Sequence, residues 1–327
     1  MSKRLSIAEY RDGLLSGNRV MLARAITLIE SKLDSDQVLA EELLTEILPH
    51  ASKSLRVGIS GVPGVGKSTF IEAFGTYLTE QGHQVAVLAI DPSSSLSKGS
   101  ILGDKTRMNK LSVNPNAFIR PSAAGGTLGG VASKTRESIL LCEAAGYDFI
   151  LVETVGVGQS ETLVRDMVDF FLLLMLAGAG DELQGIKRGI MEICDALLIN
   201  KADGENAMPA KRAAADYRNA LHLFREQESG WIPKVETISS LFMEGMNDTY
   251  KMLQAYQLYT QTNGFFEKNR HNQDVAWLME MVREELLRDF KSFQMNHSIW
   301  TKEMEALKMG ISPVRTVFKS LIEAYRS

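Results

Sequence analysis

The sequence has 327 residues, of which 45% are hydrophobic and 23% charged, and its formal net charge is −4. These proportions are typical of a soluble globular protein, and the slight acidity gives no general attraction for nucleic acid or an anionic membrane. No run approaches the roughly 18 apolar residues of a membrane-spanning helix, and the N-terminus has no segment of signal-peptide type. Cys142 and Cys194 lie far apart in apolar segments, as buried thiols do in a reducing compartment. We therefore expect a cytoplasmic bacterial protein, with a mitochondrial origin as the alternative.

Residues 1–52 are predicted to form an N-terminal helical extension. Ser6 and Glu9 have the spacing of a capping box, in which the two side chains satisfy the first free amides of a helix. Further along, Leu39, Leu43 and Ile47 recur every four residues, so one face of that helical segment is apolar.

Residues 53–245 alternate between predicted strands and predicted helices. The strands are continuous apolar runs, which are typical of a parallel sheet buried on both faces. The alternation predicts a doubly wound, mostly parallel α/β sheet that binds ligands at the carboxyl ends of its strands. The predicted strands are Leu55–Ser60, Gln84–Ile90, Asp148–Glu153, Phe170–Leu176, Ala196–Asn200 and Lys234–Ser239. The predicted helices are Lys67–Thr79, Lys134–Ala145, Gly185–Cys194 and Ala210–Leu223.

Residues 246–327 are predicted to form a C-terminal helical arm. Asp274–Phe290 carries apolar residues at helical spacing with charges between them. Ser312-Pro313 has the composition of a helix start, with the proline at the first helical position. This tail is too thin to enclose a core, so it must pack on the central domain or on another subunit.

The strongest motif follows the first predicted strand directly. Gly61-Val62-Pro63-Gly64-Val65-Gly66-Lys67-Ser68 fits the Walker A pattern, and Thr69 continues it into the next helix. Its glycines let backbone amides converge on phosphates, and the N-terminus of the helix adds a positive potential. In such a loop Lys67 reaches the β and γ phosphates, and the Ser68 hydroxyl is a ligand for Mg²⁺. The motif predicts a P-loop NTPase domain.

A second motif, Asn200-Lys201-Ala202-Asp203, ends the strand ALLIN and matches the NKxD guanine signature. The Asp203 carboxylate can accept hydrogen bonds from N1–H and from the exocyclic amino group of guanine. Adenine lacks that amino group and would leave the carboxylate unpaired, which is costly in a buried site. The bound nucleotides are therefore predicted to be GTP and GDP. A second base-contacting loop is expected at Ser239-Ser240-Leu241, after the next strand.

Carboxylates at the ends of two predicted strands are candidate magnesium ligands. Asp91 ends VAVLAI, and Glu153 begins a Glu-Thr-Val-Gly segment that resembles the DxxG switch. In that switch the carboxylate holds the magnesium shell, and the amide of the glycine, here Gly156, senses the γ-phosphate. The long polar segment 91–107 is predicted to be a switch, as long loops at phosphate sites usually are. Asp104 within it is a further magnesium candidate, with a solvated loop carboxylate as the alternative.

The position after the switch glycine bears on the rate of hydrolysis. Many small GTPases place a glutamine there to orient the attacking water. This chain has Val157, with Gln159 two residues further on. We therefore expect slow intrinsic hydrolysis that a partner or a second subunit accelerates. Arg107 and Lys187 are candidate charge-stabilising residues, with an ordinary surface or interface charge as the alternative for each.

Taken together, these segments resemble the MeaB/ArgK family of SIMIBI-class P-loop GTPases. The resemblance covers most of residues 10–245 and is weaker in both helical ends. ETVGVGQSE and GDELQGIK are its most specific parts. The full set of matching segments is GVPGVGKST, IDPSSS, GSILGDKTRM, IRPS, LLCEAAGYDFILVETVGVGQSE, AGAGDELQGIKRGIMEI and NKAD.

The resemblance implies a GTPase chaperone for an adenosylcobalamin-dependent acyl-CoA mutase, chiefly methylmalonyl-CoA mutase. Such a chaperone gates cofactor loading and protects or releases the damaged form. The resemblance also implies a homodimer through the C-terminal arm, and a third switch at Gly178–Arg188 that touches the mutase through Asp181 and Lys187. Family members usually carry Ser-Ala-Leu where this chain has Ser239-Ser240-Leu241. Because that loop contacts the base mainly through its backbone, we expect the same specificity.

Three other functions remain as alternatives. A GTPase that inserts nickel or another metal into an enzyme should carry a His- or Cys-rich site near its switches. A GTP-binding adaptor without turnover is compatible with Val157. A transport-system kinase or ATPase conflicts with the NKAD motif. The metal-insertion alternative is disfavoured, because the histidines are scattered along the chain. The five are His50, His83, His222, His271 and His297.

Overall fold

The structure is a computed structural model that describes residues 5–51, 54–90, 108–121, 128–154, 160–178 and 188–326. The chain forms two compact units, Met1–Gln273 and Asp274–Ser327. None of the helices in the described ranges is both long enough and apolar enough to cross a membrane.

A sheet of seven parallel strands, counted over the described residues, forms the centre of the first unit. The strands are β1 (Leu55–Gly61), β2 (Val85–Ile90), β3 (Ala117–Arg120), β4 (Phe149–Thr154), β5 (Phe170–Leu176), β6 (Ala196–Asn200) and β7 (Lys234–Thr237). Their order across the sheet is β3-β2-β4-β1-β5-β6-β7. The chain fills one side of β1 before it crosses to the other, which makes β1 the switch point of a doubly wound sheet. The predicted fold class is confirmed.

The six predicted strands are all present, with ends that differ by at most two residues. The strand β3 was not predicted. It has four residues and lies between Asn114-Pro115-Asn116 and Pro121, so its apolar run is too short to give a periodic signal. As an edge strand it pairs with β2 alone among the described strands.

The helices of the first unit flank this sheet. The capping box predicted at the first helix is complete, because Ser6 N donates to Glu9 Oε2 at 2.7 Å and Glu9 N donates to Ser6 Oγ at 3.3 Å. Of the predicted helix Gly185–Cys194, residues 188–192 are helical, and 185–187 lie outside the described residues. The helices are α1 (Ile7–Leu15), α2 (Arg19–Glu30), α3 (Asp34–Ile47), α4 (Lys67–Glu80), α5 (Asn109–Val113), α6 (Leu128–Ala144), α7 (Ser160–Arg165), α8 (Arg188–Glu192), α9 (Ala207–Leu221) and α10 (Met246–Thr262).

Apolar side chains cover both faces of the sheet. Along β4, Ile150 and Val152 belong to the hydrophobic cluster that includes Leu22, Ile26 and Leu43 of the N-terminal helices. Phe149 and Leu151 of β4 belong to the cluster on the other face, which contains side chains of α4 and α10. Burial on both faces explains why the strands are continuous apolar runs. The N-terminal helices therefore share a core with the sheet.

Four charged residues form an ion-pair network at the amino ends of the strands. The Arg270 guanidinium donates two hydrogen bonds of 2.7 Å to Asp169, and the Arg56 guanidinium donates two of 2.9 Å to Glu143. Ser54 Oγ also donates to Glu143, at 2.6 Å. Burial would raise the pKa of Glu143, but the charges of Arg56 and Arg270 outweigh it and hold that pKa below its usual value. We call these four residues the amino-edge network.

The second unit is helical. α11 (Phe265–Asn296), which belongs to this unit from Asp274 onwards, contains the predicted helix Asp274–Phe290 and is followed by α12 (Ser298–Lys308) and α13 (Val314–Arg326). α13 begins one residue after the proline predicted to start it, and the Pro313 carbonyl accepts from two amides of its first turn. The ring of Phe290 packs edge-on against Trp300 and Tyr325, with centroid distances of 6.0 and 5.2 Å. Aromatic contacts of this kind give the small unit a core of its own.

Candidate nucleotide-binding site

The P-loop joins β1 to α4 at the carboxyl edge of the sheet. Lys67 is the first residue of α4, and Gly66 is its N-cap with a φ of 96°. Gly64 also has a left-handed φ, of 77°. These values favour glycine and turn the chain sharply into the helix. The first amides of a helix have no partner within it, so this turn of α4 provides a site for an anion.

Two P-loop glycines are also required by close packing. A Cβ at Gly61 would lie 2.5 Å from the carbonyl oxygen of Leu174 on β5. A Cβ at Gly66 would lie 2.8 Å from Asn200 Nδ2. Any side chain at either position would push the loop away from its neighbours. Elsewhere in the predicted loop, Pro63 is exposed and Val65 is buried. The buried Val65 side chain anchors the loop to the core.

Lys67 lies over the loop it follows. Its Nζ donates a 2.8 Å hydrogen bond to the Gly61 carbonyl. Burial lowers the pKa of Lys67 below its usual value, while the charges of Glu153 and Glu161 act in the opposite direction. A half-buried ammonium at the start of a helix can bind phosphate oxygens through both charge and hydrogen bonds. This is the geometry expected of a Walker A lysine.

Ser68 and Glu153 meet as the sequence predicts. Glu153 is opposite Ile59 in the β1–β4 register and is 4% exposed. The Ser68 hydroxyl donates to Glu153 Oε1 at 3.3 Å. A hydroxyl and a carboxylate are hard oxygen ligands, and Mg²⁺ commonly takes one or two such groups together with phosphate oxygens. The pair therefore fits a magnesium site beside the P-loop.

The NKAD residues bind the P-loop backbone. Asn200 is 1% exposed, and its Nδ2 donates to the Val65 carbonyl at 2.9 Å. Lys201 has a φ of 58°, and its Nζ donates to the Gly64 carbonyl at 2.9 Å. A left-handed lysine is uncommon and is typical of functional loops. These two bonds fix the guanine loop and the phosphate loop relative to each other.

The loop after β7 completes this cluster. Ser239 Oγ donates to Asp203 Oδ1 at 2.6 Å. Ser240 donates to Asn200 Oδ1 twice, from its amide at 3.1 Å and from its hydroxyl at 2.8 Å. Leu241 is 72% exposed, at the turn that the Ser239–Glu244 bridge closes. The structure thus brings the two serines to the guanine signature and leaves Leu241 on the surface.

Six predicted site residues cannot be compared with this geometry. They belong to the proposed switches and include two of the four magnesium candidates. The residues Asp91, Asp104, Arg107, Gly156, Asp181 and Lys187 lie outside the described residues.

Further polar residues support the site and were not predicted. Thr154 Oγ1 donates to Ser60 Oγ at 3.1 Å, which links β4 to β1 just before the P-loop. The Glu72 carboxylate of α4 accepts from the amide of Lys110 at 2.7 Å, at the start of α5. Glu161, which acts on the pKa of Lys67, lies within the ETVGVGQSE segment, whose specificity was the available signal. The other contacts join residues far apart in sequence and have no local signal.

His83 has a structural environment at the opposite edge of the sheet. Its Nδ1 lies 2.6 Å from Asp148 Oδ2, and its Nε2 lies 2.9 Å from the Tyr250 hydroxyl. The ring also packs edge-on against Phe149, with a centroid distance of 4.8 Å. The Nε2 contact thus links α10 to the segment before β2, and the Nδ1 contact links that segment to the residue before β4.

Comparison with known proteins extends the similarity beyond these motifs. The family model of methylmalonyl Co-A mutase-associated GTPase MeaB matches residues 22–295. A Mus musculus protein named methylmalonic aciduria type A homolog, mitochondrial, is 47% identical over 326 residues, which cover 96% of this chain and 78% of that protein. GTPase ArgK of Escherichia coli is 43% identical over 323 residues, covering 99% and 98%. A crystal structure described as LAO/AO transport system kinase matches with a TM-score of 0.80 and 37% identity over 100% of both chains.

Proposed function

Because the chain belongs to the MeaB family of methylmalonyl-CoA mutase-associated GTPases, we propose that it is a G-protein chaperone for an adenosylcobalamin-dependent acyl-CoA mutase. The chain is a GTPase, as its family and its relatives are. The client that best fits the family description is methylmalonyl-CoA mutase. The name of the mouse relative, which refers to methylmalonic aciduria, supports the same client. In this role GTP binding and hydrolysis gate cofactor loading and protect the mutase.

The residues around the P-loop fit the binding of GTP with Mg²⁺. Lys67 and the first amides of α4 would hold the β and γ phosphates, and Ser68 and Glu153 would hold the metal. Bound Mg²⁺ would neutralise charge that develops on the phosphate oxygens during hydrolysis. Asp203, oriented by Ser239, selects guanine. The Asp203 carboxylate, held by the Ser239 hydroxyl, is the observation that most favours GTP over ATP, because adenine would leave it unpaired, and it disfavours a transport-kinase role.

Hydrolysis is proposed to be slow in the isolated protein and faster with its partner. The support is the sequence at position 157, where valine takes the place of a water-orienting glutamine. Arg107, Asp181 and Lys187 are proposed to act when the mutase contacts the switches, together with the γ-phosphate sensor Gly156. Asp91 and Asp104 stay as further candidates for the magnesium shell. Partner-dependent hydrolysis would couple nucleotide turnover to the state of the client.

The C-terminal arm, residues 246–327, is proposed to hold a homodimer together. Support comes from five of the exposed apolar residues of α11, which recur at i, i+3, i+4, i+7 and i+11. Such a stripe has helical periodicity and is typical of a helix–helix interface. Every member is at least 44% exposed in the single chain. The residues are Val275, Leu278, Met279, Val282 and Leu286.

The chaperone role is tested by cofactor transfer. Apo methylmalonyl-CoA mutase is mixed with adenosylcobalamin and the full-length protein, with GTP or with a non-hydrolysable GTP analogue, and holoenzyme formation is followed by the cobalamin spectrum. We expect the analogue to change the rate or extent of loading relative to GTP. Identical loading in every nucleotide state, and without the protein, would contradict the chaperone role. Lys67→Ala is the matched control for nucleotide dependence.

A further inference from the structure

Two adjacent serines after β7 bond to different residues of the guanine signature. Ser239 and Ser240 are 1% and 4% exposed. The Ser239 hydroxyl donates to the Asp203 carboxylate, whereas the Ser240 hydroxyl donates to the Asn200 amide oxygen. The carboxylate is placed to read the base, and the amide contacts the P-loop. The two hydroxyls therefore have separable roles.

The side chain of Asn200 has one orientation that satisfies its neighbours. A carboxamide oxygen accepts two hydrogen bonds, and both come from Ser240, through its amide at 3.1 Å and its hydroxyl at 2.8 Å. On its other side, Nδ2 donates to the Val65 carbonyl at 2.9 Å. Exchanging the nitrogen and oxygen would set donor against donor and acceptor against acceptor, which excludes the flipped amide. Ser240 thus fixes the group that holds the P-loop.

The contact between Asn200 and the P-loop is close. A Cβ added to Gly66 would lie 2.8 Å from Asn200 Nδ2, so the amide rests directly on the backbone that enters α4. The amides that follow are those expected to bind phosphate. Movement of Asn200 would therefore loosen the loop on which phosphate binding depends.

We propose that the Ser240 hydroxyl is a positioning group for nucleotide retention, which locks Asn200 against the P-loop and slows the release of GDP and GTP. The proposal rests on guanine-nucleotide binding at this site. Base choice depends on Asp203 and Ser239 instead. An alanine at position 240 keeps the backbone hydrogen bond and removes only the hydroxyl, so the substitution isolates this one contact.

The test compares dissociation of fluorescent GDP from full-length wild type, Ser240→Ala and Ser239→Ala by stopped flow. We expect Ser240→Ala to release GDP about three- to tenfold faster, the factor associated with one neutral hydrogen bond. Its affinities for GTP and ITP should fall together. Ser239→Ala should instead reduce the preference for GTP over ITP, because inosine lacks the exocyclic amino group that Asp203 reads.

Release of GDP from Ser240→Ala at the wild-type rate would overturn the proposal. An equal change in the GTP/ITP ratio for both variants would also overturn it, because the hydroxyl would then act through the base. Ser240→Cys, which keeps the size but donates weakly, should behave like Ser240→Ala. A fall in the unfolding temperature of nucleotide-free Ser240→Ala, matched by a fall in single-turnover hydrolysis, would indicate a general structural role instead. Wild-type protein that fails to bind GDP would contradict the nucleotide site itself.

Discussion

The amino ends and the carboxyl ends of the parallel strands, here called the amino edge and the carboxyl edge of the sheet, use polar side chains differently. At the amino edge, Arg56, Glu143, Asp169 and Arg270 are paired with one another and almost fully buried. At the carboxyl edge, Lys67, Asn200 and Lys201 instead donate to backbone carbonyls of the P-loop, and the first amides of α4 lie beside them. Charges that compensate one another within the protein cannot lose a partner without a large cost and are not available to a ligand, whereas backbone donors at a helix start remain available. Buried charge alone therefore does not identify a functional site.

The largest effect is expected from Lys67→Ala at the carboxyl edge. Removing the ammonium eliminates a charged contact to two phosphates, and we expect GTP affinity to fall by at least about 100-fold. The unfolding free energy should change little. Within the described residues, the hydrogen bond of the Lys67 ammonium is the one to the Gly61 carbonyl. Calorimetric titration with GTP and denaturant unfolding measure the two quantities. Normal GTP affinity in a folded variant would contradict the assignment.

The converse pattern is expected at the amino edge for Arg270→Met. Loss of the guanidinium leaves the Asp169 carboxylate buried without its bidentate partner, and the unfolding free energy should fall by about 3–5 kcal/mol. Arg288→Met, which breaks an exposed pair with Glu285, is the matched control and should cost less than about 1 kcal/mol. Urea unfolding of the three proteins provides the comparison. Equal stabilities for both variants would remove the distinction between the edges.

Asp203→Asn tests base recognition at the carboxyl edge. The carboxylate that accepts from N1–H and the amino group is lost, so GTP affinity should fall by about 10- to 100-fold. Xanthine, which presents an oxygen where guanine has the amino group, should bind better than it does to wild type. Competition between GTP and XTP for fluorescent GDP measures the preference. An unchanged preference for GTP would remove Asp203 from the site.

The smallest effect is a pH dependence at the amino edge. The pKa of Glu143 is held below the usual value of 4.5, so its stabilising charge is present above that value and is lost as pH falls through the lower folded-state pKa. Glu143→Gln should therefore destabilise the protein most at neutral pH. The difference from wild type should shrink in acid, where the wild-type carboxyl becomes neutral too. Urea unfolding across this range checks the sign, and a difference that grows on acidification would contradict it.

The sequence predicts the carboxyl edge far better than the amino edge. The P-loop and NKAD residues occur in contiguous motifs whose spacing reflects one ligand, so their positions follow from strand–loop–helix order. The pairing of Asp169 with Arg270 joins residues 101 positions apart and leaves no local pattern. β3 was missed because four residues give no periodicity. The sequence predicts Ser240 as part of a base-contacting loop that acts mainly through its backbone, and the bond from its hydroxyl to Asn200, 40 residues away, leaves no local pattern.

Steady-state GTP hydrolysis, measured on one preparation with and without purified methylmalonyl-CoA mutase, tests the central claim most directly. Val157 stands where a water-orienting glutamine would accelerate hydrolysis, so the isolated protein should be slow. Addition of mutase should raise turnover by at least about tenfold. This threshold is modest, because a charge-stabilising residue such as an arginine finger can accelerate hydrolysis by about 10³–10⁵. Lys67→Ala should abolish turnover in both conditions. Slow turnover that the mutase leaves unchanged would keep the nucleotide site and contradict the proposed client.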